Sequence, residues 1–258
     1  MIGRKSGRDN RRELEETLAF WNRVAADWDV QVGDDGDANR ILNSDPVLWR
    51  FAGDVSGLDV LDAECGTGYL SRKLQQRGAQ VVGVDFSPAM IEIAHDKAPH
   101  LDFRVDSCSE LATIPDESID LVVANYVLMD TPDLDGAMLA FNRVLRANGC
   151  AVLVFSHPCF PAARARSVGE AIEYVWSFPY FESERCVDPP WNHFKSEFIW
   201  FHRPLSDYWR AFRAAGFDVV DFDEPRITSG RCNQAGGEES LRKHRTRPFS
   251  VAFKLQKA

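Results

Sequence analysis

The chain has 258 residues, 45% hydrophobic and 27% charged, which is the composition of a folded domain rather than of a disordered segment. Its formal net charge of −9 repels phosphate backbones and argues against nucleic acid as a partner. It holds no run of about 18 apolar residues, so no membrane-spanning helix and no membrane partner are expected.

Met1 to Arg12 is basic and polar, lacks the apolar stretch of a secretory signal, and reads as a frayed arm. Residues 11–28 place Leu14, Leu18, Trp21, Ala25 and Trp28 on one helical stripe. After the polar loop Gly33 to Asp37, a second short helix is predicted over about 38–51. Alternation then begins: strand Leu58–Asp62, helix Gly68–Gln76, strand Gln80–Asp85, then a helix opened by Ser87 as cap and Pro88 as first residue. Leu101–Val105 and Ile119–Asn125 read as the third and fourth strands. A helix from Thr131-Pro132 turns Leu134, Met138, Phe141 and Leu145 inward and closes at Asn148-Gly149, before a fifth strand Cys150–Ser156. Residues 157–203 are rich in aromatics and proline without a clean period; a helix from Pro204 to Ala215 and strands Phe217–Phe222 and Phe249–Leu255 follow.

Strand–helix alternation implies an α/β fold, a mostly parallel doubly wound sheet covered on both faces. We expect one domain: an N-terminal helical cap (1–51), a core (52–156), an inserted lid (157–203) and closing elements (204–258). The cysteines Cys65, Cys108, Cys150, Cys159, Cys186 and Cys232 form no CxxC pair, so neither a zinc nor a redox site is expected, and a reducing cytoplasm fits. Asp34, Asp35 and Asp37 resemble a calcium loop in composition, but the liganding glutamate is missing, so no metal is expected.

The chemistry concentrates after the first strand. Asp62-Ala63-Glu64-Cys65-Gly66-Thr67-Gly68 is a glycine-rich turn into a helix, where the backbone comes close to a ligand and free N–H groups face it. Asp85 ends the second strand, where a carboxylate can accept from ribose hydroxyls, and Asp106 after the third can read an adenine amino group. This spells an adenosine ligand. The dinucleotide fingerprint fails, because its third glycine falls on Ser71, which argues against a nicotinamide oxidoreductase.

The same segments resemble the motifs of the class I S-adenosylmethionine-dependent methyltransferases, of the kind acting on small molecules. Val60 to Tyr69 is similar to their first motif, Val82 to Pro88 to the acidic second, and Asp106-Ser107-Cys108 to the adenine-side segment. Ser118 to Val123 resembles the strand-four signature and Arg143 to Gly149 the approach to strand five. The resemblance covers about residues 20–156, with His202-Arg203-Pro204 and Ala215-Gly216-Phe217 similar to the closing region. It implies a Rossmann-like, seven-stranded sheet with one antiparallel strand near the edge, and S-adenosylmethionine over the strand ends, leaving as S-adenosylhomocysteine. By that resemblance Asp85 and Phe86 flank the ribose, Asp106 and Ser107 the adenine, and Ala63 and Asn125 the methionine part. Gly66 and Gly68 permit close approach, Asp62 precedes the turn, Trp28 closes over the cofactor, and Arg40 can pair with its carboxylate. One departure is Glu64, where the family has a small residue: its carboxylate either pairs with the cofactor's cationic groups, points away, or crowds the pocket and leaves a fold that binds weakly or does no catalysis.

Methyl transfer is an in-line displacement that needs alignment and exclusion of water, and a base if the acceptor is a hydroxyl. His157, just past strand five, is the preferred base or orienting group, with a packing role as the alternative; Tyr126 and His202 are further catalytic candidates and His193 a weaker one. The lid aromatics Trp176, Phe178, Tyr180, Phe181, Trp191, Phe194, Phe198, Trp200 and Phe201 either line an apolar or aromatic substrate pocket or pack the lid down. Asp188-Pro189-Pro190 reads as a rigid turn presenting Trp191. The expected enzyme is cytoplasmic, monomeric or homodimeric, and methylates oxygen or nitrogen in preference to carbon on a small organic acceptor.

Overall fold

The computed structural model describes residues 7–160, 164–169, 171–175, 179–227 and 247–258. Helix α1 spans Gly7–Val32; a π-helical turn Arg40–Ser44 runs into α2, Asp45–Ala52. The alternating core is β1 (Asp59–Ala63), α3 (Tyr69–Gln76), β2 (Gln80–Asp85), α4 (Pro88–Lys97), β3 (Asp102–Val105), β4 (Ile119–Asn125), α5 (Leu134–Val144) and β5 (Leu145–Ser156). Two hairpins follow, β6 (Arg164–Val168) with β7 (Ala171–Val175) and β8 (Glu184–Asp188) with β9 (Phe198–His202). Helix α6 (Leu205–Ala214) and strands β10 (Phe217–Asp223) and β11 (Ser250–Lys257) complete the described elements.

Seven of these strands form one sheet in the order β10-β11-β5-β4-β1-β2-β3, with β11 antiparallel to both its neighbours and the remaining pairs parallel. The expected topology is therefore the one observed. Side-chain alternation explains the layering. On β4 and β5, Val122, Leu153 and Phe155 pack with Phe141 and Phe212 of α5 and α6, while Leu121, Val123, Val152 and Val154 turn to the opposite face, to Leu48, Phe51, Leu70 and Leu74. Both faces are buried, which is why these strands read as unbroken apolar runs.

Local chemistry sets the helix starts. Ser87 caps α4 by accepting from Met90 N at 3.2 Å. Asp133, rather than the expected Thr131, caps α5 by accepting from Gly136 N at 3.0 Å, and β5 begins directly at Leu145, so Asn148 at φ 64° sits within the strand instead of closing the helix. The expected shapeless lid contains the two hairpins; its Trp176 and Phe178, like Cys232, lie outside the described residues. Among the described residues no helix is long and apolar enough to cross a membrane.

Helix α1 reaches the sheet through aromatic packing. Phe20, Trp21, Val24 and Ala25 bury against Met90 of α4 and Phe194 before β9, and Phe198 sits edge-on to Phe20 at 5.1 Å. The lid aromatics thus hold the β8–β9 segment to α1.

Tight packing supports β2. A Cβ on Gly83 would lie 2.7 Å from the Phe103 ring and 3.0 Å from Cys65 Sγ. Gly83→Ala is therefore expected to cost about 1–3 kcal/mol in urea unfolding, and adding Phe103→Leu should recover part of that loss. Strict additivity of the two substitutions would contradict the clash.

Candidate functional site: an acidic cavity at the strand ends

In an open parallel sheet, ligands bind in the crevice beyond the carboxyl ends of the strands. Here a cavity of about 480 Å³ opens at the ends of β1, β2 and β4, roofed by α1. Its described lining includes Asp62, Glu64, Asp85, Glu110, Asp130 and Asp133, against a single guanidinium from Arg40. Such a site attracts cations.

The backbone of the turn explains why the acids converge. Glu64 and Gly66 take positive φ, 54° and 56°, so the chain reverses tightly after β1 and its N–H groups point to the strand ends. Asp85 accepts from Gly66 N and Ser87 N, both at 2.9 Å. Glu64 crosses the mouth: its Oε2 accepts from Phe86 N at 3.2 Å and its Oε1 from Cys108 N at 2.8 Å. Asp62 accepts from Ser71 Oγ at 2.5 Å. Burial raises all three carboxyls, Asp62 to about 7; for Glu64 repulsion by Asp85 adds to burial.

Asp130 differs. It lies five residues beyond the end of β4, faces the cavity, and its carboxylate makes no hydrogen bond or ion pair with any described residue. Burial pushes it to about 8, with Arg40 and Arg203 opposing. In the same cavity lining, both polar atoms of the Asn125 side chain are buried without a partner among the described residues. Unpaired buried groups in a cavity are the ones a ligand satisfies.

Arg40 is fixed by Asp37, which accepts from its Nη1 at 3.0 Å, and by the rings of Trp28, Tyr69 and Tyr126 at 5.2, 5.7 and 5.7 Å. That hydrogen bond uses one of five side-chain donors.

Of the residues singled out in the sequence, Trp28, Arg40, Asp62, Glu64, Gly66, Asp85, Phe86, Ser107, Asn125 and Tyr126 line the cavity. Others do not. Ala63 is buried in the core beneath the turn. Gly68 packs on Phe103, whose ring would stand 2.8 Å from an added Cβ, so its glycine serves the helix–strand contact rather than a ligand. Asp106 is spent on its own loop, accepting from Ser107 N at 2.8 Å and from Thr113 N and Oγ1 at 2.7 and 2.6 Å. His157 lies outside the cavity lining: its Nε2 pairs with Glu224 at 3.0 Å and its Nδ1 accepts from Cys159 N at 3.1 Å. Burial lowers its proton affinity, with Glu224 opposing. His202 Nε2 contacts Tyr180 O at 2.8 Å, and His193 Nε2 contacts Asp27 O at 2.9 Å, both away from the cavity. Tyr126 lines the cavity with its ring, but its hydroxyl meets Ser250 and Asn39 at 2.5 and 3.1 Å, and burial pushes its pKa to about 12. Among the described residues no lid aromatic lines the cavity; Trp21, Trp28, Tyr69, Phe86 and Tyr126 supply the rings instead. The reading from sequence missed Asp130, Ser109 and Glu110. The one signal for Asp130 was an acid following an apolar run just past a strand end.

Sheet order, glycine turn and acidic strand ends together define the class I S-adenosylmethionine-dependent methyltransferase fold. Residues 61–153 match the family described as "Methyltransferase domain". The chain is 30% identical over 151 residues to a ubiquinone biosynthesis O-methyltransferase of Xanthomonas oryzae pv. oryzae, covering 56% of this chain and 60% of that protein. It is 27% identical over 232 residues to a demethylmenaquinone methyltransferase of Lactococcus lactis, covering 81% and 85%. A solved S-adenosylmethionine dependent methyltransferase from Mesorhizobium loti shares the fold, with a TM-score of 0.71 at 20% identity over 87% of this chain and all of that one. The chain spans about three fifths of the ubiquinone-biosynthesis relatives it matches.

The Asp130 carboxyl supplies a test of this electrostatic picture. Raised from 3.8 to about 8, it keeps its proton in the folded protein across a window where the unfolded chain has lost it. Its contribution to stability therefore falls as pH rises from about 4 to about 8. Asp130→Asn removes that penalty. The melting temperature is expected to rise by about 4 °C or more at pH 8.5 and to change little at pH 4.5; an equal effect at both pH values would contradict the assignment.

Proposed function

We propose that the chain transfers the methyl group of S-adenosylmethionine to a small acceptor, at oxygen or nitrogen. The observation that carries the reading is the cavity itself: a strongly acidic pocket at the ends of β1, β2 and β4 holding one aromatic-stacked guanidinium. The cofactor is a cation with one carboxylate, and the residues fit that pattern. Arg40 would take the carboxylate, and the unpartnered amide of Asn125 would meet the polar methionine part. Asp85 and Phe86, which line the cavity, would flank the ribose, and Ser107 and Cys108 the adenine. Trp28 and Trp21 would cover it from α1 and exclude water. When bound, the cofactor supplies an electrophilic methyl on a sulfonium.

The chain's own work is to seat the acceptor and dispose of its proton. Asp130, with Thr131 and Pro132, forms the wall beyond β4. A nucleophilic hydroxyl or amine there would bond to the free carboxylate, which takes its proton as the new bond to carbon forms. A carboxyl raised toward neutrality is matched to that exchange. Oxygen is favoured by the likeness to the ubiquinone biosynthesis O-methyltransferases. This assigns the base to Asp130 in place of His157, whose two nitrogens are occupied elsewhere. A second reading, a fold that holds the cofactor only weakly, is favoured by one observation: Glu64 already sits on Phe86 N and Cys108 N.

Titration calorimetry decides the first point. S-adenosylmethionine or S-adenosylhomocysteine should bind, and Arg40→Ala should weaken binding by about 10–100-fold, the loss of a charge-assisted contact. No detectable heat with either ligand at millimolar concentration would end the methyltransferase reading.

A further inference from the structure

Glu64 is the one side chain in the turn that the backbone resists. It adopts φ 54°, where a residue with a Cβ is strained, directly before Cys65 and Gly66. Its reward is two hydrogen bonds to main-chain N–H groups on other segments, Phe86 after β2 and Cys108 after β3. All three residues line the cavity.

Those two N–H groups have a particular chemical value. The ring nitrogens N1, N3 and N7 of adenine and the ribose oxygens are acceptors, so an adenosine moiety at this edge needs donors from the protein. Phe86 N and Cys108 N are donors at the ends of adjacent strands, facing the same cavity. A carboxyl group is an acceptor too, and both of its oxygens already hold these two donors. Being covalently tethered, it competes at a high effective concentration. Asp62 and Asp85 do not stand in this position: they accept from Ser71 Oγ and from Gly66 N and Ser87 N, and neither holds Phe86 N or Cys108 N.

Resting on the methyltransferase reading, we propose that Glu64 is a tethered placeholder. Its carboxylate occupies the backbone donors that the adenosine part of the cofactor would use, and so sets the cofactor affinity. Binding then requires Glu64 to swing off Phe86 and Cys108, and the chain holds its cofactor more weakly than the cavity alone would allow.

The test is calorimetry of the full chain with S-adenosylmethionine and S-adenosylhomocysteine, for the wild type, Glu64→Gly and Glu64→Gln, with thermal melts to establish that each variant is folded. The placeholder predicts that Glu64→Gly gains at least about tenfold in affinity for both ligands. It predicts a smaller gain for Glu64→Gln, whose amide can accept only through its oxygen. Unchanged or weakened binding of both ligands by a folded Glu64→Gly overturns it. A loss confined to S-adenosylmethionine also overturns it, because that outcome makes Glu64 a counter-ion to the sulfonium. If neither the wild type nor Glu64→Gly binds either ligand, the methyltransferase reading itself fails, and the placeholder with it.

Discussion

The site depends on one buried carboxylate. Asp85 ends β2 and accepts from Gly66 N on one side and Ser87 N on the other. It therefore ties the turn after β1 to the turn that opens α4. Without an acceptor there, two main-chain donors would be left facing a half-dry cavity, at a cost comparable to that of a lost buried hydrogen bond. The arrangement has a consequence for its neighbours. A charge at Asp85 raises the cost of charge at Asp62 and Glu64, and those acids stay only because Ser71, Phe86 and Cys108 give them donors. Three strand ends are joined by the same chemistry that makes the cavity acidic.

The rest of the molecule holds that cluster still. β1 lies between β2 and β4, fixed in register on both sides, so the positions of Asp62 and Asp85 follow from the ladder Ala63 to Val84 and Asp62 to Val123. α1 lies outside the sheet and is anchored by aromatic contacts: Trp21 is edge-on to Trp28 at 5.1 Å, and Trp28 lies 6.1 Å from Phe194. Asn22 on the same helix accepts from Ser87 Oγ at 2.7 Å and Ala89 N at 3.2 Å, joining the roof to the start of α4. The described aromatics of the segment after β5 thus act on the cavity through α1 rather than by lining it.

The strands and the turn were legible in the sequence because each rests on a local rule, whereas the seven-stranded sheet with one antiparallel strand came from the family resemblance. Apolar runs bounded by turn residues give buried strands, and glycine marks positive φ at Gly66 and Gly68. What local rules could not give was where a side chain points once the strand has ended. Asp106 matches the adenine-side motif, yet Thr113, seven residues on, supplies two donors and claims it. His157 stands just past β5, but its partner Glu224 is 67 residues away in sequence and meets it only in the fold. Tyr126 takes φ 61°, and its hydroxyl goes to Ser250, from the far end of the chain. The hairpins after β5 were hidden for a different reason. β9 is a continuous run, Phe198 to His202, and β8 is mostly polar, so neither shows the alternation of a strand with one wet face.

The surplus of negative charge also gives the cavity a direction. Six acidic side chains line the cavity against one guanidinium, and each that is ionised favours a cation over a neutral ligand of the same shape. On the proposed reading, methyl transfer removes the positive charge of the sulfonium and delivers a proton to the protein. The cavity is therefore better matched to the ligand before transfer than after it, and loss of that charge weakens the hold on the spent cofactor. Asp130 adds to this asymmetry. Unpaired, it can exchange a proton without disturbing the hydrogen bonds that Asp62, Glu64 and Asp85 make at the strand ends. The division of labour follows from hydrogen bonding alone: the satisfied carboxylates build the site, and the unsatisfied one is free to react.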